Sequence, residues 1–401
     1  MSDSSRPAMR DGWSQVALGS VASVTKGTSP IEKTPAGPYP LIVTAEAPRT
    51  SATYQFEGDA VCVPLVSSTG HGHASLKRVQ YAPGPFALAN IMVAIQVTKP
   101  ALVDTKWLWL YLHHNRNELI VPLMRGTANV SLKPDWLRDV ALSVPPLANQ
   151  RRIVDLTRTL DDVASRLDTM ESASRAALVG FLSAEFSPAD APAVAIRSCL
   201  SDVLGGDWGR EPGKDEVDLP VYRQTEFTDI GQLSRPAGVI RSHGSKPAAS
   251  RILREGDILL QKSAGTPSLP GRTVRCPPDM EDATFSNFLV RLRVDETRTL
   301  PSFVFWRLWH DHQTGRALAH QAGTSIRNLN VGDYLGRDMN LPDLAAQHRV
   351  AQVADELQAV VVGTRTVRVK VTAFRDRLLA DLLSGEHEIP ESYDRFLAQA
   401  S

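Results

Sequence analysis

The sequence predicts an α+β chain built twice. Two tandem mixed α/β domains are separated by two long helices, which pair as an antiparallel coiled coil with internal pseudo-twofold symmetry. Three observations predict this. First, SVPPLANQRRIV (143–154) returns as NLPDLAAQHRVA (340–351); Pro145, Leu147, Gln150, Arg152 and Ile153 answer to Pro342, Leu344, Gln347, Arg349 and Val350, each 197 positions on. Second, apolar residues after each Pro turn recur at alternating spacings of three and four, a heptad seam. Third, the residues before each turn form short apolar or alternating runs broken by Gly, Pro and Ser, the pattern of strands joined by turns.

The elements follow in order. YPLIV, AVCVPLV and IMVAIQV read as strands, and one helical stretch interrupts the β pattern in each copy: TKWLWLYLHHNRNELI, then PSFVFWRLWHDHQTGRALAH. The duplication reaches back through them. ANIMVAIQV (89–97) matches SNFLVRLRV (286–294), Trp109 matches Trp306, and GTANVSL from Gly126 matches GTSIRNL from Gly323. EGDAVCV (57–63) matches EGDILLQ (255–261) with one residue of slip, while Leu18, Val21 and Gly27 face Leu200, Val203 and Gly209 at an offset of 182. Two copies cannot form a stacked array, so this is a duplication and not a solenoid.

The first seam runs Ile153, Leu156, Leu160, Val163, Leu167, Met170, Ala177 and Phe181, with a weak point at Ser174. The second runs Val350, Val353, Leu357, Val360, Val367, Val371, Phe374 and Leu378, with a weak point at Thr364. Neither contains Pro, so each predicts a helix of about 34 residues, roughly 50 Å long. If the pair is antiparallel, a pseudo-twofold axis relates the copies and the globular parts lie at opposite ends, a span of at least one duplex turn of about 34–36 Å. The expected boundaries are residues 1–148 for the first domain, 149–187 for the first long helix, 188–345 for the second domain, 346–385 for the second helix and 386–401 for the tail.

Composition narrows the function. Apolar content of 42% with 22% charge is that of a soluble globular chain. Lys plus Arg equals Asp plus Glu at 44 each, so positive charge for DNA must be concentrated locally. The opening MSDSSRPAMRDGW lacks a signal-peptide core, and no apolar run reaches membrane-spanning length, so no membrane partner is expected. Cys62, Cys199 and Cys276 are isolated, which fits a reducing cytoplasm. VPPL lacks the amide and aromatic of an adenine-methylation motif, and there is no G-x-x-x-x-G-K-[ST] loop or nucleophile arrangement. The expectation is no enzyme activity, no catalytic residues and no metal.

The two-copy plan, PPLANQRRI and PDLAAQHRV, the paired helices, the opening W..V.LG.VASVTKG (Trp13 to Gly27) and the ending LLADLLSGEHEIP together resemble the specificity subunit of a Type I restriction-modification system. The resemblance covers nearly the whole chain. It implies two target recognition domains, each reading one half of a bipartite, asymmetric site in double-stranded DNA. The paired helices then set the gap and dock two methyltransferase subunits, and a restriction (motor-nuclease) subunit can join. S-adenosylmethionine, ATP and Mg belong to those partners, and this chain has no cofactor of its own. The alternative is a DNA-binding scaffold subunit of another phage-defence or DNA-modification complex; a self-sufficient methyltransferase is disfavoured by the missing motifs.

DNA contact requires Lys and Arg for phosphates and polar side chains for base edges. Gly-, Ser- and Thr-rich loops offer Lys26, Thr28, Lys77, Arg78, Arg125 and Thr127 in the first domain. The second offers Arg210, Lys214, Arg223, Lys262, Ser263, Arg272, Arg275, Arg327 and Asn328. These loops differ between copies while the scaffold agrees, which points to an asymmetric target. His71 and His73 lack further ligands and fit a DNA-contacting loop better than a metal site. SVTK (23–26) and GGDWG (205–209) lack supporting motifs, and Trp107, Trp109, Trp306 and Trp309 read as helix-packing residues. Asn149 is placed to cap the first helix, but Ala346 stands in the second. Gln150, Arg152, Gln347 and Arg349 fall in first turns, where cations gain nothing from the helix dipole. They are expected either at the junction of helix and domain or as docking residues for the methyltransferase, against the bland reading of solvated surface.

Overall fold

The computed structural model describes residues 12–69, 72–127, 129–187, 191–266, 268–280 and 282–397. The chain divides into two compact units: Met1–Ser165 with Val369–Ser401, and Arg166–Arg368.

Unit 1 contains β1 (Ser14–Ala17), β2 (Ala22–Lys26), β3 (Tyr39–Ile42), β4 (Arg49–Ser51), β5 (Ala60–Pro64), β6 (Gln80–Ala82), β7 (Ala87–Leu88), β8 (Met92–Val97) and β9 (Ala141–Val144). They form a sheet of order β2-β8-β5-β6, a sheet of order β4-β3-β7 and the antiparallel pair β1-β9. AVCVP is apolar throughout because both its faces are covered. Val61, Val63, Val93 and Ile95 point into a core shared with the tryptophan-bearing helix Thr105–His114. Their alternates Ala60, Cys62, Met92 and Ala94 face a second core beneath β3 and β7.

Unit 2 repeats the plan with β10 (Ala193–Ala195), β11 (Leu200–Gly205), β12 (Val217–Tyr222), β13 (Val239–His243), β14 (Ile258–Gln261), β15 (Ser263–Ala264), β16 (Thr273–Arg275), β17 (Thr284–Phe285), β18 (Leu289–Val294), β19 (Gln321–Ala322), β20 (Arg327–Leu329) and β21 (Asp338–Asn340). The sheet orders β11-β18-β14-β16, β13-β12-β17 and β10-β21 mirror those of unit 1, and β15-β20-β19 forms a small fourth sheet. Ile258, Leu260, Val290 and Leu292 pack against the helix Pro301–Gln313, while Leu259 and Leu289 line the second core. Trp107 and Trp306 are fully buried, and Trp109 and Trp309 pack against the same cores.

The long helices are Leu147–Glu185, of 39 residues, and Leu344–Ser384, of 41. Both exceed the expected length because they begin directly after Pro146 and Asp343 rather than at the first seam residue. The Asp343 carboxylate accepts from Ala346 N at 2.7 Å and caps the second helix. Asn149 is no cap: it lies inside the first turn, where its Oδ1 accepts from Arg152 Nη1 at 2.8 Å.

Within unit 1, Ile153 shares a core with Leu379, Leu382 and Leu383, and Arg375 pairs with Asp161 at 3.0 Å. Within unit 2, Leu178 and Leu182 share a core with Val350, Ala351 and Ala354, and Arg365 pairs with Glu171 at 2.6 Å. Numbers rise on one helix as they fall on the other, so the pairing is antiparallel. The seam is narrower than its heptads suggest. Val163, Met170, Val353, Val360, Val367 and Phe374 are 38–57% exposed. A lone pair of helices covers one apolar row on each, and arginine–carboxylate pairs complete the contact.

In unit 2 both helices grip one loop. Arg365 and Arg175 bind the Asp229 carboxylate and hold it well below the usual carboxylate range. A carboxyl with a lowered folded pKa adds stability that is present above about pH 4 and lost as pH falls toward the folded value. Unit 2 should therefore unfold more easily below about pH 4, and Asp229→Asn should flatten that acid limb. Denaturant midpoints measured against pH test this, and an acid limb of unchanged steepness in the variant would refute it.

Candidate nucleic-acid interface

Strand register brings the loop candidates together. In unit 2, β15 pairs with β20 so that Ser263 faces Asn328, and Ser263 Oγ donates to Asn328 Oδ1 at 2.6 Å. Lys262 directly precedes β15, and Leu329 N donates to its carbonyl at 2.7 Å. Arg327 lies beside Asn328, and its buried Nε has no hydrogen-bond partner. Lys262, Ser263, Arg327 and Asn328 thus share one small sheet.

Unit 1 builds the same site from bridges. Ser131 pairs with both Val66 and Arg125, and Arg125 and Ser131 exchange two backbone hydrogen bonds of 2.8 Å. Val66 and Ser131 stand 197 positions before Ser263 and Asn328. A Cβ on Gly72 would lie 2.4 Å from the Thr127 carbonyl, so the loop carrying His73 touches the loop carrying Thr127. Ser67 Oγ donates to His73 O at 2.6 Å and closes this loop on itself. His71 lies outside the described residues. Lys77, Arg125 and Thr127 are exposed here, while Arg78 binds the carbonyls of Thr44 and Ala45.

Lys26, the last residue of β2, and Thr28 just beyond it are exposed, and the Gln55 amide holds both. Its Oε1 accepts from Thr28 N at 3.0 Å, and its Nε2 donates to Lys26 O at 3.0 Å. Gly27 is required between them, because a Cβ there would lie 2.2 Å from Ala89 O. Arg210 and Lys214 are exposed on the turn that bridges to Ser242. Beside them, Arg241 stacks on Trp208 at 4.9 Å and pairs with Glu211 at 2.7 Å. No spacing in the sequence marks that contact.

Three arginine candidates have partners within unit 2. Arg223 pairs with Glu226 at 2.7 Å, Arg272 donates to Phe227 O, and Arg275 pairs with Asp355 on the second long helix at 3.1 Å. All three are half-buried, and their guanidinium groups are engaged within the unit.

The docking candidates divide as well. Gln150 and Gln347 are 0% and 1% exposed and act as buried clamps. Gln150 Oε1 accepts from Asp104 N at 2.8 Å, and its Nε2 donates to Leu102 O and Pro145 O, both at 2.8 Å. Gln347 repeats each bond, accepting from Leu300 N at 2.9 Å and donating to Arg298 O at 3.3 Å and Pro342 O at 2.9 Å. Both glutamines sit where helix meets domain, and a buried amide offers no surface to a partner. Arg152 is also buried, held by the Asp394 carboxylate through bonds of 2.6 and 2.7 Å. Arg349 alone of the four is exposed.

Residues 10–173 match the family model of the Type I restriction modification DNA specificity domain. The match is confined to the first part of this chain. No curated protein matches it. Among solved structures, it is similar to the Type I restriction-modification S subunit from M. genitalium, at 13% identity and a TM-score of 0.58 over 94% of this chain and 98% of that one. A chain from a structure on complex assembly and conformational transition of the type I R-M system matches at 16% identity and TM-score 0.59, covering 94% and 99%. The HsdS subunit from Thermoanaerobacter tengcongensis matches at 17% identity and TM-score 0.44, covering 95% and 97%. The two with TM-scores of 0.58 and 0.59 share with this chain the α+β plan of two sheet-rich domains and two long paired helices. Among the described residues, no group of three His, Cys, Asp or Glu side chains is placed to hold a metal, and no helix is long and apolar enough to cross a membrane.

The clamp makes a testable prediction. Gln347→Ala leaves one buried N–H and two carbonyls without their partner, at about 1–3 kcal/mol for each group left unpaired. Its urea midpoint should fall well below that of Arg349→Ala. Equal midpoints for the two variants would refute the clamp.

Proposed function

We propose that this chain is the non-catalytic DNA sequence-recognition subunit of a Type I restriction-modification complex, reading a bipartite asymmetric target in double-stranded DNA. One observation carries the reading: each unit builds the same strand-register site, but with different side chains. Val66 and Ser131 occupy the positions that Ser263 and Asn328 hold in unit 2. One backbone plan with two sets of donors and acceptors suits two different half-sites. The exposed cations Lys26, Lys77 and Arg125 in unit 1, and Arg210 and Lys214 in unit 2 with the half-buried Arg327, supply phosphate contacts beside those sites.

Methylation, ATP hydrolysis and cleavage fall to partner subunits, which bind the S-adenosylmethionine, ATP and Mg. Two methyltransferase subunits dock on the apolar rows that the helices leave open. Unit 1 exposes Val163, Val369 and Phe374, and unit 2 exposes Met170, Val353, Val360 and Val367. A restriction subunit joins that assembly.

Mapping modified bases in the host, with the gene intact and deleted, tests recognition. The expected result is loss of methylated adenines from one split, asymmetric motif. Identical maps would instead favour a scaffold role, the reading that equal numbers of acidic and basic residues support; a flat salt dependence of DNA binding would identify that role. Docking is tested separately. Val360→Asp with Val367→Asp, both in the unit 2 row, should halve the methyltransferase that co-purifies while DNA binding by the isolated chain stays unchanged, and an undiminished two methyltransferases per chain would refute the apolar rows as their seat.

A further inference from the structure

Resting on the recognition role proposed above, we infer that Asn328 reads an adenine in the half-site that unit 2 contacts. The Asn328 side chain is exposed on β20, with its backbone held in register against both β15 and β19. Its amide is oriented before any DNA arrives. Oδ1 accepts from Ser263 Oγ at 2.6 Å, and Nδ2 lies 3.5 Å from the Ile326 carbonyl oxygen. A carboxamide has two N–H donors and two acceptor lone pairs. The internal contacts engage one of each, leaving one N–H and one lone pair on the same planar group.

That remaining pair matches the adenine edge in the major groove, where N7 accepts and N6–H donates. Guanine presents two acceptors there and would leave the Oδ1 lone pair facing another acceptor. The flanking cations fit the same approach. Lys262 directly precedes β15 and Arg327 stands next to Asn328 on β20, so two positive charges lie beside the amide for the adjoining backbone phosphates. Unit 1 carries Ser131 at the matching position, and a hydroxyl can serve either base edge. Amide readout therefore belongs to one half-site only.

The test is a map of adenine methylation in host cells carrying the unaltered gene, Asn328→Ala or Asn328→Asp, with matched levels of each chain and thermal midpoints measured alongside. With Asn328→Ala, one A·T position in one half-site should lose its preference by roughly 5- to 150-fold, while every other position is kept. With Asn328→Asp, which retains acceptors and loses the donor, preference at that position should move toward a pair presenting the cytosine N4 donor. An unchanged motif in both variants overturns the inference, as does methylation that weakens evenly at all positions. If no motif depends on the unaltered gene, the recognition role itself falls and this inference falls with it.

Discussion

Everything in each unit hangs on one buried amide. The long helix, the Pro turn before it and the loop leading into the tryptophan-bearing helix all converge on Gln150 in unit 1 and Gln347 in unit 2. Helix starts expose N–H groups, and loops entering a core carry carbonyls that cannot reach water. A glutamine reaching back from the first turn satisfies both kinds of group at once, since its amide both donates and accepts. This explains why glutamine recurs 197 positions on while the neighbouring Asn149 becomes Ala346. Glutamate could not donate to the two carbonyls, and leucine would satisfy nothing.

Around that shared junction the copies solve the same packing problem with different chemistry. Unit 1 places Ala94, Leu110 and Val140 where unit 2 has Arg291, Arg307 and Arg337. The unit 2 residues are tied down by carboxylates: Arg291 by Asp202 at 2.6 Å, and Arg337 by the fully buried Asp311 at 2.7 Å. Asp311 also draws in Arg307 and Arg316, both at 3.4 Å. Buried pairs of this kind add little net stability over an apolar isostere, but removing one member leaves a charge stranded. Unit 2 can therefore diverge from unit 1 only by exchanging whole networks, whereas exposed loop residues change one at a time.

This contrast also governs what the sequence made legible. Strands, the two long helices and their antiparallel pairing follow from apolar periodicity and from the offset repeat, because those patterns record burial directly. The seam was overread: Val353, Val360 and Val367 fall at heptad spacing yet lie exposed, since periodicity states which residues share a face and not whether anything covers it. Among the site candidates, the exposure of Lys26, Arg125 and Asn328 follows from the polar stretches that hold them. Arg223 pairs with Glu226 only three residues on, a spacing that the sequence displays, but Arg272 and Arg275 are not distinguishable from the exposed candidates, because the Phe227 carbonyl and Asp355 that engage them are chosen by tertiary contact. The stacking of Arg241 on Trp208 was invisible for the same reason.

The arrangement also bears on how such a chain acquires a new target. A side chain that reads a base edge must be held in place, since a mobile one loses discrimination to the entropy of ordering it. Under the recognition role proposed above, the candidate readers sit at fixed register on a short strand in unit 2 and a backbone bridge in unit 1, whose bonds do not depend on the side chain. Asn328 and Ser131 occupy the same ladder position with unlike chemistry, and neither exchange disturbs the clamp, the sheets or the helix pairing. Specificity can then drift at the edge of each unit while the glutamine junction and the helices stay constant, and the duplication allows the two halves to drift separately.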